Sequence, residues 1–482
     1  MTTYKIDYTD HNISEYSKTG YNAIILIIAF FIICTYYIFY AESLYEILSL
    51  LYSFTLFWVF LKTIGHYKIS PVRHYFLFWI VVGMGMLHAI ESYILVGVPN
   101  SRFQDDLLYH YHTSLLYSNF SNTPYSGYEY FLYFYGYPYY YITGIIPSIM
   151  ILLPFNWLLI TGSLVIVDIL SVRLTKKICP TIIIVGLLIC NYSFQFSAFR
   201  LYRDNLIIFL SLMYILLSLK RFYFFHPIII YILFHLRGAN AILLIYYTIN
   251  HLLLSVFVKR KDRVFAFIII NIMMIILYPF FNLLIAKNFR HINSKKQENY
   301  QNTTIEILTQ RSEDYALLST GEGKVSNILK NLSYYGYPIR PIYTFLIVYR
   351  LRPIYDDVIN TREAYGKSAV EKKNSFIITR IFSYFALFSL ALYGKYLFHG
   401  LSNSIKSTTT FLLSIYIIIS YILISIASMD SRHQLVCLIY MPFFVSVSIS
   451  INITNNKLLN YSQFSILLAA IIAIVSTIQN LT

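Results

Sequence analysis

The chain has 482 residues, of which 57% are hydrophobic and only 12% are charged, and its mean hydropathy is +0.60. A soluble domain usually carries about a quarter charged residues, so this composition excludes a soluble enzyme or a soluble binding module. The net charge of +15 does not indicate nucleic-acid binding, because the lysines and arginines gather in short segments between apolar runs, the pattern that orients membrane helices.

Apolar runs of about 17–23 residues recur along the chain, and this is the length that a helix needs to cross the hydrocarbon layer of a membrane. We therefore predict an all-α polytopic membrane protein, a single integral membrane domain over residues 1–482 with about thirteen transmembrane helices. The predicted spans are 22–41, 44–62, 75–96, 156–172, 180–197, 205–219, 222–237, 240–258, 264–286, 375–396, 409–428, 434–452 and 463–480.

The orientation of these spans follows from the positive-inside rule, which places short basic loops in the cytoplasm. With the N-terminus inside, the cytoplasmic loops carry Lys62, Lys68, Arg73, Arg173, Lys176, Lys177, Lys220, Arg221, the run 259–263, Lys395, Lys406 and Lys457. The same orientation sends two long segments outward, a first external loop over 98–155 and a helical external loop over 287–374. It requires that the Pro-bounded segment 137–154 form an interfacial or re-entrant helix, because a full crossing would reverse every later side.

The first external loop contains the stretch "SRFQDDLLYHYHTSLLYSNF", in which two adjacent carboxylates precede two histidines. A helix over 103–117 gathers the polar side chains on one arc and turns the apolar ones to the opposite face. The polar arc holds Asp105, Asp106, Tyr109, His110, His112 and Thr113, and the opposite face holds Leu107, Leu108, Tyr111 and Leu115. Carboxylates close to one another and to imidazoles can provide a general base near neutral pH.

Two other interpretations of this helix remain open. It can be an interfacial helix whose polar side is simply hydrated, or it can contribute to a metal site through Asp106 and His110, which have ligand-like spacing. Too few further ligands are evident for a metal, and the four cysteines have no CxxC spacing, so we predict neither a metal site nor a cofactor.

Arginines stand at three predicted outer helix ends. Arginine is costly near the hydrocarbon, so at a membrane boundary it either reaches the lipid headgroups or binds an anion. Three such ends beside a carboxylate–histidine helix favour a site for a phosphorylated ligand. The residues at these ends are Arg200, Arg203 and Asp204, then Arg237, then Arg432 and His433.

Other polar residues lie within the predicted spans. His88 and Glu91 are spaced to meet on one helix face, and Asp168 lies in the fourth span. Such groups can relay protons in a transporter, but more often they connect helices, and both interpretations stay open.

Several of these segments resemble a known arrangement. "DDLLYHYH", "YFYGYPYYYITGII" and a span ending in "SVRLTKKI" resemble the opening of the GT-C superfamily of membrane glycosyltransferases. The later segments "FRLYRDNLIIF", "YILFHLRGANAILL", "SYYGYPIRPIYTFLIVYRLRPIYDD" and "SRHQLVCLIYMPFF" are similar to Wzy-type polymerases of O-antigen and polysaccharide repeat units. Unlike many GT-C enzymes, the chain ends in a hydrophobic run, which favours the polymerase resemblance.

The resemblance implies a multi-pass enzyme of the bacterial inner membrane that joins oligosaccharide repeat units carried on a polyprenyl pyrophosphate. Asp105 or Asp106 is then the base with His110 beside it, and the arginines of positions 200, 203, 237 and 432 hold the leaving pyrophosphate. His112, Asp204 and His433 complete the predicted substrate site. The implied partners are the lipid-linked glycan, membrane lipid and a chain-length regulator, without nucleic acid.

Two alternative functions remain. A GT-C transferase would add one sugar from a polyprenyl-phosphate donor, and a flippase would move the lipid-linked oligosaccharide across the membrane. Transporters of this size often show inverted repeats with discontinuous helices, and the sequence shows no such symmetry.

Overall fold

The computed structural model describes residues 44–64, 71–96, 104–118, 127–177, 200–256, 338–348, 394–404, 408–427, 434–451 and 455–481, together with single positions and stretches of two or three residues outside these ranges. Within these residues the chain is helical and contains no strand. The helices are α1 (Leu44–Ile64), α2 (Pro71–Val96), α3 (Gln104–Tyr117), α4 (Tyr128–Thr143), α5 (Ile149–Thr175), α6 (Arg203–Lys220), α7 (His226–Val256), α8 (Arg340–Val348), α9 (Thr408–Ala427), α10 (Leu435–Leu438), α11 (Met441–Ser450) and α12 (Asn455–Leu481).

Three segments in the described residues are helical, long and apolar enough to cross a membrane, namely Leu44–Ile64, Ile149–Thr175 and Asn456–Ile474. Shorter apolar helical segments are Pro71–Leu87, Thr409–Ser425 and Leu435–Ser450. The chain is thus an all-α protein with helices suited to a membrane, as predicted. The full set of about thirteen spans stays a prediction, because several apolar runs lie mainly outside the described residues.

One end of the helix bundle gathers the basic segments, and we call it the basic end, defined by Ile64, Arg73, Arg173 and Lys220. The Lys220 ammonium donates to the Ile64 carbonyl oxygen at 2.7 Å, and the Arg173 guanidinium donates to the carbonyl oxygen of Leu219. The ends of α1, α5 and α6 therefore meet. The basic residues at these three helix ends lie on one side of the bundle, and the placement of all the basic loops in the cytoplasm stays a prediction.

The opposite end, which we call the polar end, is defined by Tyr128, Asn156, Arg200, Asp204 and Arg237. At a rise of 1.5 Å per residue, Asp204 and Lys220 lie about 24 Å apart along α6. Asn156 and Arg173 lie about 26 Å apart along α5. These separations approach the thickness of a hydrocarbon layer, about 30 Å.

Helix α7 folds back on itself at Arg237, whose backbone is extended (φ −163°, ψ 97°). In a straight helix His226 and Thr248 would lie about 33 Å apart. Both instead contact Tyr214 of α6: the ring centroids of Tyr214 and His226 are 4.1 Å apart, and the Tyr214 hydroxyl lies 2.6 Å from Thr248 Oγ1. The two arms of α7 thus run back alongside one another, and Arg237 stands at the tip of this hairpin.

The segment 137–154 is divided between two helices, so the prediction of one short helix there is wrong, whereas its interfacial or re-entrant placement stays a prediction. Helix α4 ends at Thr143, where Gly144 adopts a left-handed conformation (φ 68°), and α5 begins at Ile149 and continues through Pro154. The Tyr135 hydroxyl of α4 lies 2.9 Å from Ser49 Oγ, and Ser49 donates to the Ile151 carbonyl oxygen. Helix α4 is therefore packed against the first turns of α1 and α5.

Candidate functional site

The polar end is built on a chain of hydrogen bonds between buried side chains. The Tyr128 hydroxyl donates to Asn156 Oδ1 at 2.5 Å, and Asn156 Nδ2 donates to the carbonyl oxygen of Arg200. Asn205 Nδ2 donates to the same carbonyl oxygen at 3.3 Å. These bonds fix the backbone of Arg200 just before α6 begins, and they attach it to α4 and α5.

An ion pair connects the start of α6 to the tip of the α7 hairpin. Nη2 of Arg237 lies 2.7 Å from Oδ1 of Asp204, and the side chains are 17% and 5% exposed. The extended backbone of Arg237 ends the first arm of α7, and Gly238 follows. The sequence analysis placed both residues at the same predicted surface, and the structure brings them into direct contact.

The helix that carries the two predicted acids is joined to this cluster. Helix α3 spans Gln104–Tyr117, against a predicted range of 103–117. The rings of Tyr109 on α3 and Tyr128 on α4 meet edge to face, with centroids 5.2 Å apart. Asp105 and Asp106 stand in the first turn of α3, and their side chains lie outside the part that the structure describes.

The predicted faces of α3 are partly wrong. Tyr109 and Thr113, which we placed on a polar arc, are buried, whereas Tyr111, which we placed on the apolar face, is 58% exposed. Helix α3 packs against α4, and this contact selects the buried face. The Thr113 hydroxyl can be buried because it donates to the Tyr109 carbonyl oxygen at 2.7 Å within the helix.

The last turn of α3 is anchored to α4 through tyrosine hydroxyls. The Tyr117 hydroxyl donates to the Tyr133 carbonyl oxygen at 2.8 Å, and the Tyr140 hydroxyl donates to the Tyr117 carbonyl oxygen at 3.3 Å. Burial raises the pKa of Tyr117 well above its usual value, and the nearby Tyr133 adds to the rise. The Tyr117 hydroxyl therefore stays protonated and remains a donor.

The two histidines of α3 differ in what they contact. His110 Nε2 lies 2.9 Å from the Pro147 carbonyl oxygen, which can only accept, so this nitrogen is the donor and holds α3 to the segment before α5. His112 is partly exposed, and its ring lies 5.5 Å from the ring of Tyr111.

The remaining predicted site residues are placed only in part. Arg203 is the first residue of α6 and is half-buried. Arg432 and His433 lie outside the described residues, but the next residue, Gln434, is buried and accepts a hydrogen bond from Ser425 Oγ at 3.2 Å. Ser425 in turn accepts one from Thr344 of α8 at 3.0 Å.

Buried polar residues that were not singled out from the sequence include Glu129, Asn156, Asn240 and Arg340. Glu129 lies in the first turn of α4 and is fully buried, and Arg340 begins α8 and is 3% exposed. Glu129 and Arg340 are charged residues within aromatic segments of the sequence, and this pattern could have identified them as candidates. Asn156 is a single polar residue in an apolar run, whereas Asn240 closely follows Arg237 at the start of a predicted span, and no spacing distinguished either one.

Asp168 belongs to the opposite end of the bundle. Its carboxylate accepts two hydrogen bonds of 2.8 Å from Nε and Nη2 of Arg73, which also donates to the Cys179 carbonyl oxygen at 2.5 Å. His74 Nε2 lies 3.9 Å from the same carboxylate. This closed arrangement supports the interpretation of Asp168 as a link between helices. The side chains of His88 and Glu91 lie outside the described residues.

Within the described residues no group of three or more His, Cys, Asp or Glu side chains could hold a metal ion. Cys179 and Cys437 are both buried free thiols. No family model matches the chain, and comparisons with curated proteins and with solved structures found no significant match.

Proposed function

We propose that the chain is a glycosyltransferase that polymerises oligosaccharide repeat units carried on a polyprenyl pyrophosphate, at the external face of the bacterial cytoplasmic membrane. The observation that carries the proposal is the polar end itself. There the Arg237–Asp204 ion pair and the anchored backbone of Arg200 are connected, through Asn156 and Tyr128, to the helix that bears Asp105 and Asp106.

The reaction requires a base and a cation. A hydroxyl oxygen of the acceptor sugar forms a bond to the anomeric carbon of the donor glycan while the bond from that carbon to the pyrophosphate oxygen breaks. The hydroxyl proton passes to a carboxylate, for which Asp105 and Asp106 are the candidates. The leaving lipid pyrophosphate keeps the electron pair of the broken bond, and guanidinium groups stabilise its charge.

Arg237 suits the second task because of how it is held. A guanidinium carries five N–H donors in a fixed plane, and the ion pair with Asp204 engages one nitrogen at 2.7 Å. Asp204 thus orients the guanidinium while other donors can still meet phosphate oxygens. Preorganised donors of this kind stabilise charge most when they do not have to move during the reaction.

The position of the site also suits a lipid-linked substrate. The polar end is separated from the basic end by about 24–26 Å of helix, so a ligand at the polar end meets one surface of the bundle. A polyprenyl tail can then remain in the membrane while its pyrophosphate reaches Arg237. The positive-inside rule predicts that this surface is external, where repeat units would be joined.

The test replaces Asp105→Asn, Asp106→Asn, Arg203→Gln, Arg237→Gln and Arg432→Gln one at a time in the native host, and reads surface glycan length on a gel. We expect Arg237→Gln to reduce long-chain glycan by about 100-fold, the loss typical of removing one charge-stabilising donor, while single-unit glycan remains. Lys177→Gln, which removes an exposed charge at the basic end, is the matched control and should leave the long chains intact.

The products distinguish the alternative functions. Single-unit glycan that lacks one sugar would indicate the single-sugar transferase, and lipid-linked repeat units trapped on the cytoplasmic side would indicate the flippase. Intact long chains in all five variants would refute the proposed site.

A further inference from the structure

Asn240 is a buried amide whose polar atoms are not used by the described residues. It is 1% exposed, and neither Oδ1 nor Nδ2 has a hydrogen-bond partner within the part of the chain that the structure describes. An unpaired buried amide costs free energy, and most such groups in folded proteins are paired. A residue kept at that cost points to a ligand, because local departures from favourable packing concentrate at functional sites.

The place of Asn240 in the fold identifies what it would meet. It lies three residues after Arg237, about one helical turn into the second arm of the α7 hairpin. The ion pair between Arg237 and Asp204 attaches the same hairpin tip to the start of α6. A ligand held by Arg237 would therefore be near the turn that carries Asn240.

Arg237 and Asn240 differ in hydrogen-bonding chemistry, so each suits a different part of the ligand. A guanidinium only donates, so Arg237 suits phosphate oxygens, which only accept. A primary amide both donates and accepts and carries no charge, so it suits a neutral group that also does both. The sugar bonded to a pyrophosphate offers such groups as its ring hydroxyls.

We propose that Asn240 binds a hydroxyl group of the sugar that is linked to the pyrophosphate, and that it thereby selects glycan-bearing lipid over the bare lipid pyrophosphate. This inference rests on the proposed function and assigns a sugar contact to a residue beside the phosphate site.

The same arm of α7 offers a matched control. Asn250 is also 1% exposed, and its Oδ1 likewise has no partner in the described residues, but its Nδ2 donates to the Tyr246 carbonyl oxygen at 3.0 Å, one turn earlier in the helix. Asn250 lies about 15 Å further along this arm than Asn240. Replacement by leucine removes an amide of equal burial from the same arm, away from the hairpin tip.

The experiment uses the full chain in nanodiscs and two probes, undecaprenyl pyrophosphate and the undecaprenyl-pyrophosphate-linked repeat unit extracted from the host. For Asn240→Leu we expect affinity for the linked repeat unit to fall about tenfold or more, with unchanged affinity for the bare lipid. The thermal unfolding midpoint should be unchanged or higher, because an unpaired buried amide is replaced by an apolar side chain of similar size. Asn250→Leu should leave both affinities unchanged.

A second variant protects the test against misfolding. Asn240→Ala removes the amide without adding charge or bulk, and it should also weaken binding of the linked repeat unit while leaving affinity for the bare lipid unchanged. Unchanged affinity for the linked repeat unit in both variants, or an equal loss of affinity for the two probes, would overturn the inference. If wild-type protein binds neither probe, or if Arg237→Gln binds both normally, the proposed function fails instead.

Discussion

The two ends of the bundle each contain a half-buried arginine paired with a buried aspartate, and the pairs differ in how the arginine is used. At the basic end Arg73 donates to both oxygens of Asp168 and to the Cys179 carbonyl oxygen. At the polar end the ion pair joins Nη2 of Arg237 to Oδ1 of Asp204. Arg73 lies in the first turn of α2, whereas Arg237 interrupts a helix with an extended backbone.

Under the proposed function, this difference separates a pair that connects helices from a pair that meets the substrate. The carboxylate of Asp168 is saturated by a bidentate partner and is fully buried, so the pair can do little besides connect α2 to α5. The polar end combines its ion pair with buried Arg200, with Asn240 and with a helix bearing two acids. In the proposed function, the donors of Arg237 that its ion pair with Asp204 does not use remain for the ligand.

The largest expected effect is on stability at the basic end. Asp168→Ala leaves the Arg73 guanidinium without its buried counter-charge, and removing one partner of such a pair costs about 3–5 kcal/mol. We expect Asp168→Ala to lower the unfolding midpoint in detergent and the yield of folded protein far more than Asp204→Asn. The measurement is a thermal scan of purified variants.

The double variant Arg73→Met with Asp168→Leu sharpens the comparison. Replacing a whole buried ion pair by apolar side chains of similar volume is often neutral or stabilising, so the double variant should recover most of the lost stability. It should also make long-chain glycan at the wild-type level. A double variant as unstable as Asp168→Ala, or a stable one that makes no polymer, would contradict the assignment of this pair to structure alone.

Much of the helical layout could be predicted from the chain, because uninterrupted apolar runs mark helices by length. The prediction of 103–117 agrees with α3 to within a residue, and the break near Arg237 followed from a short apolar segment ending in an arginine. The start of α5 was placed too late, because Pro154 indicated a boundary. Helix α5 instead begins five residues before Pro154 and continues through it, although proline often ends a helix.

The contacts between helices could not be predicted in the same way. Arg73 and Asp168 are 95 residues apart, and no spacing rule relates them. The periodicity of α3 was recognised, but which of its faces is buried depends on its contact with α4, as Tyr109 and Tyr111 demonstrate. A sequence pattern indicates the periodicity of a helix, but packing over the whole chain determines which other helices it contacts.

A medium effect is expected where α2 and α5 cross between the two ends. A Cβ atom on Gly85 would lie 2.4 Å from the ring of Trp157, the neighbour of Asn156 in the polar end. Gly85→Ala forces this ring to move, and such overpacking typically costs about 1–3 kcal/mol. We expect a lower unfolding midpoint in detergent and less long-chain glycan, because the displaced Trp157 ring is next to Asn156.

Gly83 on the same helix is the matched control, since a Cβ there would lie 3.4 Å from the flexible end of Ile32. Gly83→Ala should therefore change stability little and leave long-chain glycan intact. Equal effects from the two alanines would show that the crossing of α2 and α5 does not support the polar end.

The smallest expected effect concerns the attachment of α4 to α1 at the polar end. The Tyr135 hydroxyl lies 2.9 Å from Ser49 Oγ and 2.5 Å from Ser53 Oγ, and it donates to the Ser49 carbonyl oxygen at 3.1 Å. Tyr135→Phe removes these bonds without a change of shape, so stability should fall by about 1 kcal/mol. Tyr137→Phe, at a side chain that is 43% exposed, should change nothing measurable in the same thermal scan. If Tyr135→Phe left stability intact but abolished long-chain glycan, its hydroxyl would belong to the substrate site, and the boundary drawn between structural and functional parts of the polar end would have to move.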